Sequence, residues 1–186
     1  MKGFTRREPL FSLCGLKCGL CRMHLGGYCP GCGGGEGNQS CAIARCSLEH
    51  GGPEFCWDCP EYPCARYEGF DECDSFVPHS ARARDAAEAR SLGIEAYMAR
   101  MRESAALLEK LLGGYNDGRR KTLFSTAAYL LPPEDLRAVL ERLRAQAEGL
   151  ELKERAALAA RLLTEAAQAR GLSLKLVKNH RERKEE

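Results

Sequence analysis

The sequence predicts a small metal-stapled, irregular cysteine-rich module followed by an all-α helical domain of about five helices. Three observations predict it. All eleven cysteines lie between Cys14 and Cys73, and the 113 residues from Asp74 to Glu186 hold none. Within that span the large apolar side chains are few and scattered among glycine and charge, so the segment cannot bury enough surface to offset chain entropy without covalent or metal staples. Past Pro78 the composition turns to Ala, Leu, Glu and Arg, with apolar residues recurring at three- and four-residue steps. The expected organisation is a cysteine-rich metal-binding domain over 1–77, an α-helical domain over 78–177 and a charged, disordered tail over 178–186.

Taken in order, residues 1–13 read as a short leader into the first cysteine. The Gly-rich run from Gly26 to Asn38 reads as a loop held by Cys29 and Cys32. Cys41 to His50 fits one short helix stopped by Gly51-Gly52-Pro53. Pro60 and Pro63 make the last cysteine triplet turns and extended chain. Ser80 is the expected N-cap of a helix to Leu92, stopped by Gly93. The next helix, Ile94–Leu112, places Ile94, Tyr97, Met98, Met101, Ala105, Leu108 and Leu112 on one face, with Gly113-Gly114 ending it. A third spans Arg119–Leu131. The fourth starts at Pro133, with Glu134 and Asp135 where the helix dipole favours anions and Leu136, Val139, Leu140 and Leu143 facing inward. The fifth runs from about Leu152 to Arg170, and Leu172, Leu174 and Leu176 alternate with polar residues as a short edge strand or an extended tail.

The cysteines come in pairs and triplets: Cys14, Cys18 and Cys21; Cys29 and Cys32; Cys41 and Cys46; Cys56, Cys59 and Cys64; then Cys73 alone. A C-x-x-C pair grips one ion with both sulfurs, and a glycine after the second cysteine eases the positive φ that such a turn needs, as in Cys29-Pro-Gly-Cys32-Gly33. The N-terminus offers no apolar run long enough for a signal peptide, which points to the cytoplasm, where thiols stay reduced and such spacing means metal more often than disulfide. An odd number of cysteines also leaves one unpaired under any disulfide scheme. The candidate ligands are therefore Cys14, Cys18, Cys21, Cys29, Cys32, Cys41, Cys46, Cys56, Cys59 and Cys64, enough for two four-thiolate sites or one shared-thiolate cluster. Four thiolates suit zinc, and they also suit an iron–sulfur cluster. His24 and His50 lie near enough in sequence to replace a cysteine. Cys14-x₃-Cys18-x₂-Cys21 has the spacing of radical S-adenosylmethionine enzymes, but the alternating strands and helices of their barrel are missing from the pattern. A thioredoxin-type role lacks its βαβ context in the same way.

C-G-L-K-C-G-L-C at Cys14–Cys21, C-P-G-C at Cys29–Cys32, the Cys41/Cys46 pair and C-W-D-C-P-E-Y-P-C at Cys56–Cys64 resemble a cysteine-rich domain-of-unknown-function family of bacteria and archaea. The resemblance covers roughly residues 12–70 and implies zinc binding by those ten cysteines. Tyr115–Phe124 and Ala127–Pro132 look like an extension carried by longer members. The family has no assigned reaction, so the resemblance implies ligands and leaves the activity open.

Charge narrows the function classes. Residues 1–73 carry seven Lys/Arg against nine Asp/Glu, and residues 74–186 carry 21 against 17. Neither half has the basic excess of a dedicated nucleic-acid binder, which disfavours a zinc-ribbon reader of nucleic acid. No stretch is apolar enough for a membrane span. P-loop, dinucleotide-binding and H-E-x-x-H patterns are absent, and four scattered histidines suggest no nucleophile triad. Arg119, Arg120 and Lys121 open a helix after the turn Asn116-Asp117-Gly118, where cations oppose the dipole unless an anion sits there. They form a candidate site for a phosphate or carboxylate. The function expected is that of a zinc-binding protein with a mainly structural metal that binds a protein partner; the alternative is an iron–sulfur redox protein or enzyme.

Overall fold

The computed structural model describes residues 3–35 and 41–178. Among the described residues seven α-helices form: α1 (Arg22–Leu25), α2 (Ala42–Glu49), α3 (Arg82–Leu92), α4 (Ile94–Tyr115), α5 (Lys121–Leu130), α6 (Pro133–Gln146) and α7 (Leu152–Ala169). Three short 3₁₀ turns, Cys18–Leu20, Cys56–Asp58 and Ala65–Tyr67, join them in the cysteine-rich region. No strand occurs among the described residues, and Leu172 and Leu174 pack as extended chain against the helical core. No described helix is long and apolar enough to cross a membrane. The expected tail lies outside the described residues from Asn179 onward.

The described residues pack as two compact units, one within residues 3–98 together with 176–178 and the other of residues 99–175. The expected boundary after residue 77 therefore does not coincide with the packing, because α3 belongs with the cysteines. Arg82 reaches Asp71 with two hydrogen bonds of 2.8 and 2.7 Å, Lys17 pairs with buried Asp85 at 3.2 Å, and Gly15 sits against Arg82 and Ala86. Gly15 has φ +96°, and a Cβ there would come within 3.3 Å of that helix.

In the first unit, residues 3–13 contribute to the core and are more than a leader. Phe4, Phe11 and Leu13 are buried, and the Phe11 ring sits 5.0 Å from Tyr97, 6.0 Å from Phe55 and 5.9 Å from Trp57. Arg6 is buried among them. Its guanidinium donates to the carbonyls of Glu54, Phe11 and Cys32 and lies over the Phe55 ring. At the far end of the unit, Asp74 straps the returning chain: its N–H donates to the Val177 carbonyl at 2.7 Å and its carboxylate accepts from the Val177 N–H at 2.8 Å and the His79 N–H at 2.7 Å.

The second unit is a helical core in which Leu107, Leu108 and Leu111 of α4, Phe124 and Ala127 of α5, Leu136, Val139, Leu140 and Leu143 of α6, and Ala159, Leu162 and Leu163 of α7 are buried together. Three details differ from expectation. α4 continues through Gly113-Gly114 to Tyr115, since neither glycine adopts positive φ and the stop comes instead from the Asn116-Asp117 turn. Its buried stripe runs Met101, Ser104, Leu108 and Leu111, one step away from Ala105 and Leu112, because a 3.6-residue period drifts around the helix over that length. α3 begins after Ala81 with no side-chain cap, and Ser80 plays no part in it.

Candidate metal centre

All eleven cysteines are free thiols. Local backbone explains how the pairs are held. In Cys18–Leu20 and Cys56–Asp58 a single 3₁₀ turn closes with the N–H of Cys21 on the Cys18 carbonyl and the N–H of Cys59 on the Cys56 carbonyl, both sulfurs of each pair thus starting from one tight turn. The Asp58 carboxylate fixes the second turn by accepting from the Phe55 N–H. Cys29-Pro-Gly-Cys32-Gly33 bends at Gly31 (φ +95°) and Gly33 (φ +78°), and the Cys32 N–H donates to the Pro9 carbonyl. A Cβ on Gly31 would stand 2.5 Å from that same carbonyl oxygen, so only glycine fits.

The ten expected ligands fall into two neighbourhoods that adjoin at Tyr67, which lies within electrostatic reach of both Cys56 and Cys14. Cys14 lies within electrostatic reach of Cys32 and Cys41, and Cys18 within reach of Cys32, Cys14, Cys21 and Cys29. Cys56 lies within reach of Cys64, Cys46 and Cys59, and these four thiols line one cavity of about 30 Å³ together with Ile43, His50, Pro53, Tyr62, Arg66 and Tyr67. Among the described residues, no three His, Cys, Asp or Glu side chains stand together so as to hold an ion as placed.

Burial dominates the protonation of these thiols. It pushes Cys14 up to about 12 against the opposing Ser12 hydroxyl, whose oxygen is 3.1 Å from the sulfur. Cys18 is pushed up further, and Cys56 rises to about 11 against the pull of Tyr67. Cys32 is raised as well, with the Arg6 guanidinium pulling the other way. The Tyr67 hydroxyl faces Cys56, and its oxygen is buried without a hydrogen bond of good geometry. Arg66 lies beside Cys46, and the hydrogen bond to that sulfur raises the already high pKa of its guanidinium.

The two histidines separate. His24 Nδ1 is engaged with the Cys29 carbonyl at 2.9 Å. His50 Nδ1 lies 2.8 Å from the Cys46 carbonyl and 3.6 Å from its sulfur, while Nε2 is 3.4 Å from Glu61. Of the three basic residues expected to open the helix, only Lys121 lies in α5; Arg120 is its N-cap and Arg119 precedes it, and the anion beside them is supplied by the chain. Asp117 accepts from the Arg119 N–H at 3.1 Å and pairs with the Arg120 guanidinium, and the Arg119 N–H bond above all holds its carboxyl below the usual range. Arg6, Ser12, Arg66 and Tyr67 were not expected at the site. The one hint of the last two is that they follow Cys64 within a single turn.

No family model, curated protein or solved structure matches the chain.

Proposed function

We propose that this is a metal-binding protein in which zinc, held by thiolates from Cys14 to Cys64, is structural, and that it acts by binding a partner. The observation that carries the reading is the gathering of ten free thiols, arranged in pairs and triplets, in one compact unit, where Cys14, Cys32 and Cys56 pack against the same small cluster of Phe4, Leu13, Ile43 and Ala44. Metal–thiolate bonds at such a cluster would add folding free energy that the irregular turns between the cysteines do not supply. Ligation requires the thiols to lose their protons and turn toward shared ions. Closed four-thiolate sites leave no coordination position for a substrate, which favours a structural role. The resemblance to a zinc-binding cysteine-rich family points the same way. For the partner, Tyr28 in the Gly-rich loop is 76% exposed and neighbouring Leu25 46%.

Purification under anaerobic conditions, followed by zinc and iron analysis and a visible spectrum, tests the proposal. A colourless protein with stoichiometric zinc is expected. A brown protein with stoichiometric iron and absorption near 400 nm would replace it with the iron–sulfur alternative.

A further inference from the structure

We propose that Cys46, Cys56, Cys59 and Cys64 form a metal centre of their own, a discrete four-thiolate site separate from the group around Cys14, with Tyr67 and Arg66 as its outer hydrogen-bond donors. The inference rests on the metal-binding reading and adds the apportionment of ligands. The four thiols come from α2, the Cys56–Asp58 turn and the chain leading into Ala65–Tyr67, yet they border a single cavity of about 30 Å³, room for one ion, onto which they must turn, since no three of them meet as they stand. Ile43, Pro53 and Tyr62 wall it with apolar surface. His50 is not a ligand, since both of its ring nitrogens are engaged, one at the Cys46 carbonyl and the other toward Glu61.

The outer donors give the second, independent argument. A dication with four thiolates carries two net negative charges, and four protons leave on binding. The Arg66 guanidinium beside Cys46 offsets one of those charges. The Tyr67 oxygen is buried beside Cys56 with no well-formed bond. A neutral thiol is a poor acceptor, whereas a metal-bound thiolate is a strong one, so the loose contact of the Tyr67 hydroxyl with Cys56 becomes a full hydrogen bond when the ion is present.

The test counts zinc per full-length chain after gel filtration and follows cobalt(II) titration by its tetrahedral thiolate absorption. The wild type is expected to hold two ions, a Cys56→Ser/Cys64→Ser variant one, and Tyr67→Phe two, one of them about tenfold weaker. Tyr67→Phe preserves the side-chain shape and decides the matter if the serine variant unfolds. A wild type with one ion, a folded serine variant that keeps two ions or loses both, or a Tyr67→Phe protein with both affinities unchanged overturns this apportionment alone. A wild type that binds no metal overturns the metal-binding reading with it.

Discussion

Arg6 is the residue on which the N-terminal segment turns. Its side chain is 2% exposed and satisfies three carbonyls at once while stacking on Phe55. Arg6→Met keeps the length and removes every one of those bonds, leaving buried carbonyls unpaired, and is expected to destabilise the first unit by about 3 kcal/mol. Trp57, the single tryptophan, is stacked on Phe55 at 4.2 Å and reports that unfolding by fluorescence; an unshifted denaturation midpoint would mean that the bonds are redundant. The thiols carry a pH dependence of definite sign. Cys14 and Cys56 sit near 12 and 11 in the folded metal-free protein against an ordinary thiol value of 9.0, both raised chiefly by burial. Unfolding therefore releases their protons once pH exceeds about 9, so the contribution of these thiols to metal-free stability is full below that value and is lost as pH climbs toward 11. Zinc affinity moves the other way, rising with pH because each ligating thiol must give up a proton. Thermal melts with and without chelator between pH 7 and 10 check both slopes, and parallel slopes would rule out thiol ligation.

Among the elements, the helices were legible in the sequence and the cysteine-rich turns only in outline. Leu136, Val139, Leu140 and Leu143 declared the buried face of α6 because a regular helix turns spacing directly into direction. Residues 3–13 carry no such period, and the burial of Phe4 and Phe11 depends on partners such as Phe55 and Tyr97 that are remote in sequence. Two glycine replacements contrast the two kinds of element. Gly31→Ala puts a side chain at φ +95° and into the Pro9 carbonyl, and is expected to cost about 1–3 kcal/mol by Trp57-monitored denaturation. Gly113→Ala lies in helix with open space around it and is expected to stabilise by about 0.5–1 kcal/mol, read as a gain in the melting temperature of the helical signal. Equal effects at the two positions would show that the Cys29–Gly33 turn is looser than its backbone indicates.

For the whole molecule, chelation is expected to separate the two units. A strong chelator should collapse the Trp57 signal while most of the helical circular dichroism of α4–α7 persists, since that core contains no cysteine. Simultaneous loss of both signals would show that the helical unit depends on the metal too. Pair spacing marked ten candidate cysteines, but that Cys46 lies near Cys56 while Cys41, five residues away, lies near Cys14 could not be read from spacing, because it depends on how α2 lies against the remote Cys56–Tyr67 segment. The strap between Asp74 and Val177 adds a matter of timing. The two residues are 103 positions apart, and the whole of residues 99–175 is inserted between the halves of the first unit. At about 5–20 residues per second, Cys73, the last cysteine, is synthesised roughly five to twenty seconds before Val177. Newborn chains therefore present open thiols to the surrounding metal pool, or to an oxidant, before the last contact of their own unit exists.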